Sequence, residues 1–82
     1  MEYHLTEHAR DALEKRRIRL EWMEQALSAP EWTEEDVTDE QLEHRLVRIE
    51  AFGGRVLRVI VNTHTRPPRV VTVYFDRRRS GR

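Results

Sequence analysis

VLRVIVNTHTRPPRVVTVYFDRRR, residues 56–79, places two β-rich runs on either side of a turn and ends in a row of arginines. Val56 to Val61 is apolar except for Arg58, as expected of a central strand buried on both faces. Thr63 to Pro68 supplies the turn. Val70 to Phe75 forms the last strand, with Val71, Val73 and Phe75 expected inward and Thr72 and Tyr74 on the opposite face. Such a hairpin locates the core, and its cationic exit marks where an anionic partner would dock.

Upstream, Gly53-Gly54 reads as a two-residue hairpin turn closed by Phe52. The strand before it alternates from His44 onward, with Val47, Ile49 and Ala51 on one face and Leu46, Arg48 and Glu50 on the other. Residues 31–43 hold seven acidic side chains and no basic one, with Trp32 and Val37 the only sizeable apolar residues before Leu42. An edge strand or irregular segment is expected around Trp32 to Val37, then a polar or short helical turn at Asp39 to Leu42.

The N-terminal third is helical. Thr6 caps a helix running to about Arg16, with Glu7 in its first turn and Lys15, Arg16 and Arg17 in its last, matching the macrodipole. Leu5, Ala9, Ala12 and Leu13 make its apolar stripe. A second helix covers about Leu20 to Ser28, with Leu20, Met23 and Leu27 on one side, and Pro30 stops it. Helices this short need the sheet for stability. The expected fold is α+β: two N-terminal helices packed on a twisted antiparallel sheet of three to four strands. It forms one domain over residues 1–79, with 80–82 a disordered tail.

Eighty-two residues without cysteine rule out a disulfide framework and a thiolate zinc site. No apolar run approaches the roughly 20 residues that span a bilayer, and MEYHLTEHAR lacks the basic and apolar regions of a signal peptide. A cytoplasmic protein with no membrane association is expected. The zero net charge hides an asymmetry: residues 1–43 carry thirteen acids against five bases, and residues 44–82 carry ten arginines against Glu50 and Asp76. Either an acidic loop folds against a basic sheet, or the sheet carries an anion-binding face.

Several pieces, taken in order, resemble a family. HAR at 8–10, RI within 16–18, the Met23/Leu27 helix ending at Pro30, VLRVIVN at 56–62 and VVTVYFDRR at 70–78 look like a small uncharacterised bacterial domain family grouped with RelE-like toxins. The resemblance covers roughly residues 3 to 79. It implies the fold of RelE-like and colicin-type RNases and metal-independent RNA cleavage, with RNA or the ribosome as target and an antitoxin as partner. The family's recurrent polar positions fall on His8, Arg16, Arg58 and Tyr74. Where the pattern often has arginine four residues after the histidine, this chain has Ala12. Where it usually has glycine after the second arginine, this chain has Arg17.

Cleavage without metal needs a base for the 2′-hydroxyl, an acid for the leaving oxygen and cations around the phosphorane. A histidine with an unperturbed pKa of about 6.5 suits proton transfer, and arginine suits phosphate. His8, Arg58 and Tyr74 are therefore the candidate catalytic residues, and Arg16, Arg48, Arg77 and Arg78 the candidate phosphate ligands. Each also has a structural explanation. His8 can bond a carboxylate or carbonyl on its helix, Arg58 can pair with Glu50 or another acid, and Tyr74 can pack across strands. His4 and His8 are four apart, but His4 precedes the cap and no third ligand follows, so no metal and no cofactor are expected. The alternative function is a non-catalytic RNA- or protein-binding module on the same fold.

Overall fold

Thr6 ties the first helix to the last strand. Its Oγ1 accepts the N–H of Ala9 at 3.1 Å, as an N-cap does, and lies 2.9 Å and 3.1 Å from the carbonyl oxygens of Val70 and Val71. In the computed structural model, which describes residues 2–79, this cap separates a short strand β1 (His4–Leu5) from helix α1 (Glu7–Lys15). There follow α2 (Leu20–Ser28), β2 (Trp32–Glu35), β3 (Leu42–Ile49), β4 (Arg55–Asn62) and β5 (Arg69–Phe75). Short 3-10 turns occupy Glu50–Phe52 and Arg77–Arg79. The tail expected at 80–82 lies outside the described residues.

The sheet has five strands in the order β1-β5-β4-β3-β2. β1 runs parallel to β5, and the other neighbours are antiparallel. This corrects the expected antiparallel sheet of three to four strands: the class is α+β, but the sheet is mixed. The missing strand is two residues long. It lies in register with Arg69 and Val70 at the far end of the chain, so nothing in its own alternation announces it.

Both helices pack on one face. Ala9 and Ala12 of α1, Ile18 of the connection, and Met23, Ala26 and Leu27 of α2 share a core with Val47, Ile49, Leu57, Val59, Val61, Val70 and Val73. Leu20 is 48% exposed and Ile18 is buried, so the core position expected for Leu20 belongs to Ile18. The link between the helices is set by Arg17 at φ 54°, which turns the chain so that Ile18 points inward. At the start of the chain, Tyr3 donates its hydroxyl to Glu24 of α2 at 2.7 Å. Burial and that carboxylate push the tyrosine up to about 12.

Two local readings need correction. β3 ends at Ile49, and residues 50–54 form a longer connection in which Gly53 and Gly54 take φ of 69° and 73°. In β5 the register shifts, so Val61 faces Val70 while Val59 faces Val73 and Ile60 faces Thr72. Val71 is the extra residue of a bulge, and Val70 is the buried one. Thr6 satisfies the two bulge carbonyls, which explains why the bulge sits beside the helix cap. Val70→Ala should accordingly cost about 1–3 kcal/mol in urea unfolding. Val71→Ala should cost less than about 1 kcal/mol, and a reversed order would refute the bulge assignment.

Candidate functional site

The sheet face away from the helices is not bare. Register places Trp32, Leu46, Arg58 and Tyr74 in one row across β2, β3, β4 and β5, and Leu46, although remote from the helices, is fully buried. Arg58 is the centre of that face and only 9% exposed. Its Nε and Nη2 donate to Asp76 Oδ2 at 3.0 and 2.7 Å, and Nη1 donates to Glu34 Oε1 at 3.0 Å. Nη1 also lies 2.7 Å from Nδ1 of His44, whose Nε2 lies 2.7 Å from Asp36 Oδ1. An arginine can only donate, so Nδ1 accepts and Nε2–H donates to Asp36. Arg79 closes the ring with an ion pair to Glu34.

These contacts set the charge states. Hydrogen bonds from His44 and from the backbone of Thr38 and Asp39 hold Asp36 down at about 2. Burial pushes Asp76 up, but the Arg58 hydrogen bonds and the N–H of Arg78 outweigh it, so Asp76 stays below the usual carboxylate range. Burial also works against the Arg58 charge, and its bonds to Asp76 and Glu34 reverse the balance, so Arg58 is held above the ordinary arginine value. Four of the five N–H groups of this guanidinium are engaged, and so are both ring nitrogens of His44. The network clamps strands together and leaves the Arg58 charge already paired.

A different arrangement lies at the end of the sheet where β4 begins and β5 ends. Arg16, Phe52, Arg55, Tyr74, Phe75 and Arg77 line a cleft of about 340 Å³. Arg16 caps the C-terminus of α1, Arg55 opens β4, and Arg77 begins the turn after β5. Among the described residues no carboxylate forms a salt bridge with any of these three arginines. Their neighbours are aromatic instead. The rings of Phe52 and Phe75 are 4.8 Å apart, Trp22 lies 5.5 Å from Phe52, and the Arg55 guanidinium carbon sits 5.0 Å from both phenylalanine centroids. Phe52 remains 39% exposed. Arginines with no salt bridge among the described residues, set against an aromatic cluster that Phe52 leaves partly exposed, suit a ligand with both phosphate and base.

The candidate residues are thus sorted by the fold. Arg58 and Tyr74 are cross-strand neighbours. His8 stands exposed on α1, in the helical layer, while Arg58 faces the other side of the sheet, so the core lies between them. Arg16, Arg77 and Tyr74 meet in the cleft. Arg48 does not join them: it lies over Trp32 at 5.6 Å, with its Nε buried and without a hydrogen-bond partner among the described residues. Arg78 is exposed, and its N–H donates to Asp76 Oδ1 at 3.0 Å. Among the described residues no cluster of three or more metal-ligating side chains occurs, and no helix is long and apolar enough to cross a membrane.

A family model described as a domain of unknown function, DUF4258, matches residues 5–75. The chain belongs to the DUF4258 family. No curated protein and no solved structure matches it. In this DUF4258 domain, sequence reasoning missed Phe52 and Arg55, which complete the cleft. Their signal was present: both flank the Gly53-Gly54 turn, which brings positions 52 and 55 side by side. Asp76 was also legible, being two residues beyond Tyr74 on the same face as Arg58. Glu34 and His44 reach Arg58 only through the β2–β3–β4 register.

Proposed function

We propose that the domain is a nucleic-acid-binding module that takes RNA in the Arg16/Arg55/Arg77 cleft. One observation carries this reading: three arginines from three separate elements converge, without carboxylate partners among the described residues, around Phe52, Tyr74 and Phe75. Arginine binds phosphate bidentately, and aromatic rings accept stacked bases of any sequence. The RelE-like endoribonuclease reading, with an antitoxin to restrain it, asks His8, Arg58 and Tyr74 to meet on one phosphate. The placement of His8 and the carboxylates already on Arg58 favour binding over cleavage.

Fluorescence anisotropy with a labelled single-stranded RNA tests the proposal. Affinity should fall steeply with salt, by about 0.7 of a log–log unit for each phosphate neutralised. Replacing Arg16, Arg55 and Arg77 together by alanine should flatten that slope by about 2. Salt-independent binding, or none at low ionic strength, would sink the reading. The RNA should emerge intact in EDTA. Cleavage abolished by His8→Ala would restore the endoribonuclease alternative.

A further inference from the structure

Arg16 is a wall of two hollows. On one side lies the aromatic cleft. On the other, His8, Asp11, Ala12, Lys15 and Arg16 enclose a second depression of about 280 Å³ along one flank of α1. The helix period creates it. Residues 8, 11, 12, 15 and 16 follow the i, i+3, i+4, i+7, i+8 spacing of one helical face. Ala12 is 2% exposed and keeps the floor low between the longer side chains. An arginine or lysine at that position would fill the space with its stem.

We infer that this hollow is a second subsite of the cleft, so that the site as a whole takes a single strand across Arg16, with a base and its phosphate in the cleft and the next phosphate against Lys15. The inference rests on the proposed nucleic-acid reading of the cleft. Three features carry it. Both hollows are lined by Arg16, whose guanidinium is long enough to neutralise the phosphate between two successive nucleotides. Lys15 and Arg16 place two cations side by side, and none of the salt bridges among the described residues uses either one. Asp11, one turn before Lys15 on the same face, is the single carboxylate lining the hollow among the described residues. A carboxylate there accepts a hydrogen bond from a sugar hydroxyl. His8, at the far end, adds a donor or acceptor to the following sugar.

A continuous path also decides the strandedness of the ligand. A duplex keeps its bases stacked inside and presents only its backbone, so it cannot seat a base against Phe52 and Tyr74 while a neighbouring phosphate reaches Lys15.

Calorimetric titration with adenosine 5′-monophosphate, a single-stranded oligoadenylate trinucleotide and a duplex RNA separates the possibilities. The trinucleotide should bind at least about tenfold more tightly than the mononucleotide, each added phosphate contact bringing its own electrostatic gain. Lys15→Glu should remove that gain and weaken the mononucleotide far less, whereas Arg55→Ala should weaken both. Lys15 is exposed, so the variant should keep the wild-type circular dichroism, with a melting temperature lower by a few degrees at most from the acid placed at the C-terminus of α1. Equal affinities for mononucleotide and trinucleotide would overturn the second subsite while leaving the cleft standing. So would a trinucleotide affinity untouched by Lys15→Glu. Failure of every nucleic acid to bind the wild-type domain would overturn the cleft reading and this inference together.

Discussion

Arg58→Ala should destabilise the domain by about 3–5 kcal/mol, the cost of removing one member of a buried ion pair and stranding the other. Asp76 is the stranded partner: its side chain is 10% exposed, and Arg58 supplies both of its side-chain donors to Oδ2. His44 Nδ1 and Glu34 lose a donor at the same time. Small domains have only about 5–15 kcal/mol in all, so the variant should sit close to unfolding at room temperature. Urea denaturation followed by circular dichroism measures this. The double substitution Arg58→Ala with Asp76→Ala should cost clearly less than the sum of the two single changes, because the orphaned carboxylate goes with its cation. Additive costs, or a single-variant loss below about 1 kcal/mol, would show that the network does not hold the strands. Loss of a cellular phenotype in an Arg58 variant would therefore report folding rather than chemistry.

Met23→Ala should cost about 2–5 kcal/mol. Met23 is fully buried in the core that α2 shares with β3 and β4. The rest of the helix has little with which to hold on. Leu20 is half exposed, Trp22 only half-buried, and Ala26 contributes a single methyl. A nine-residue helix has almost no stability of its own, so its adhesion depends on Met23 and Leu27, with the Trp22 ring against Phe52 and Phe75. The melting temperature should drop by about 10 °C or more for a domain of this size. Met23→Leu, which nearly conserves volume, should recover most of the loss. A small effect of the alanine variant would mean that α2 is held by its ends, through Tyr3–Glu24 and the Arg45 bond to the Leu27 carbonyl at 2.8 Å.

Much of the fold was legible because its elements announce themselves locally. Thr6 before an apolar stripe marks a helix start, Pro30 marks an end, and the β-branched run from Val56 to Val61 marks the central strand, where the structure places it. Pattern reasoning fails where a residue answers to something distant. Val71 fits the alternation of β5 as well as Val70 does. The choice between them falls to Thr6, some 65 residues away, whose hydroxyl meets the carbonyls of the bulge. Leu20 is more apolar than its surroundings, yet it lies outside the core because Arg17 turns the chain to bury Ile18.

The site divides in the same way. That arginines would bind an anion follows from their chemistry, and that Phe52 and Arg55 would be neighbours follows from the turn between them. Which arginines stay available does not. Arg58 and Arg77 are the same side chain, separated in role because the folded sheet turns Asp76 and Glu34 onto Arg58, although Asp76 is Arg77's neighbour in the chain. Asp76 and Glu34 close on Arg58 across two strand pairings, and Arg16 reaches the cleft because α1 ends beside β5. Sequence alone determined the local elements, the apolar positions able to form a core, and the cationic character of the C-terminal half. Tertiary structure alone decided strand number, bulge register, the separation of His8 from Arg58 and the identity of the unpaired cations. Each of those depends on contacts between residues far apart in the chain, and a one-residue change of register or face redirects every charge on the strand.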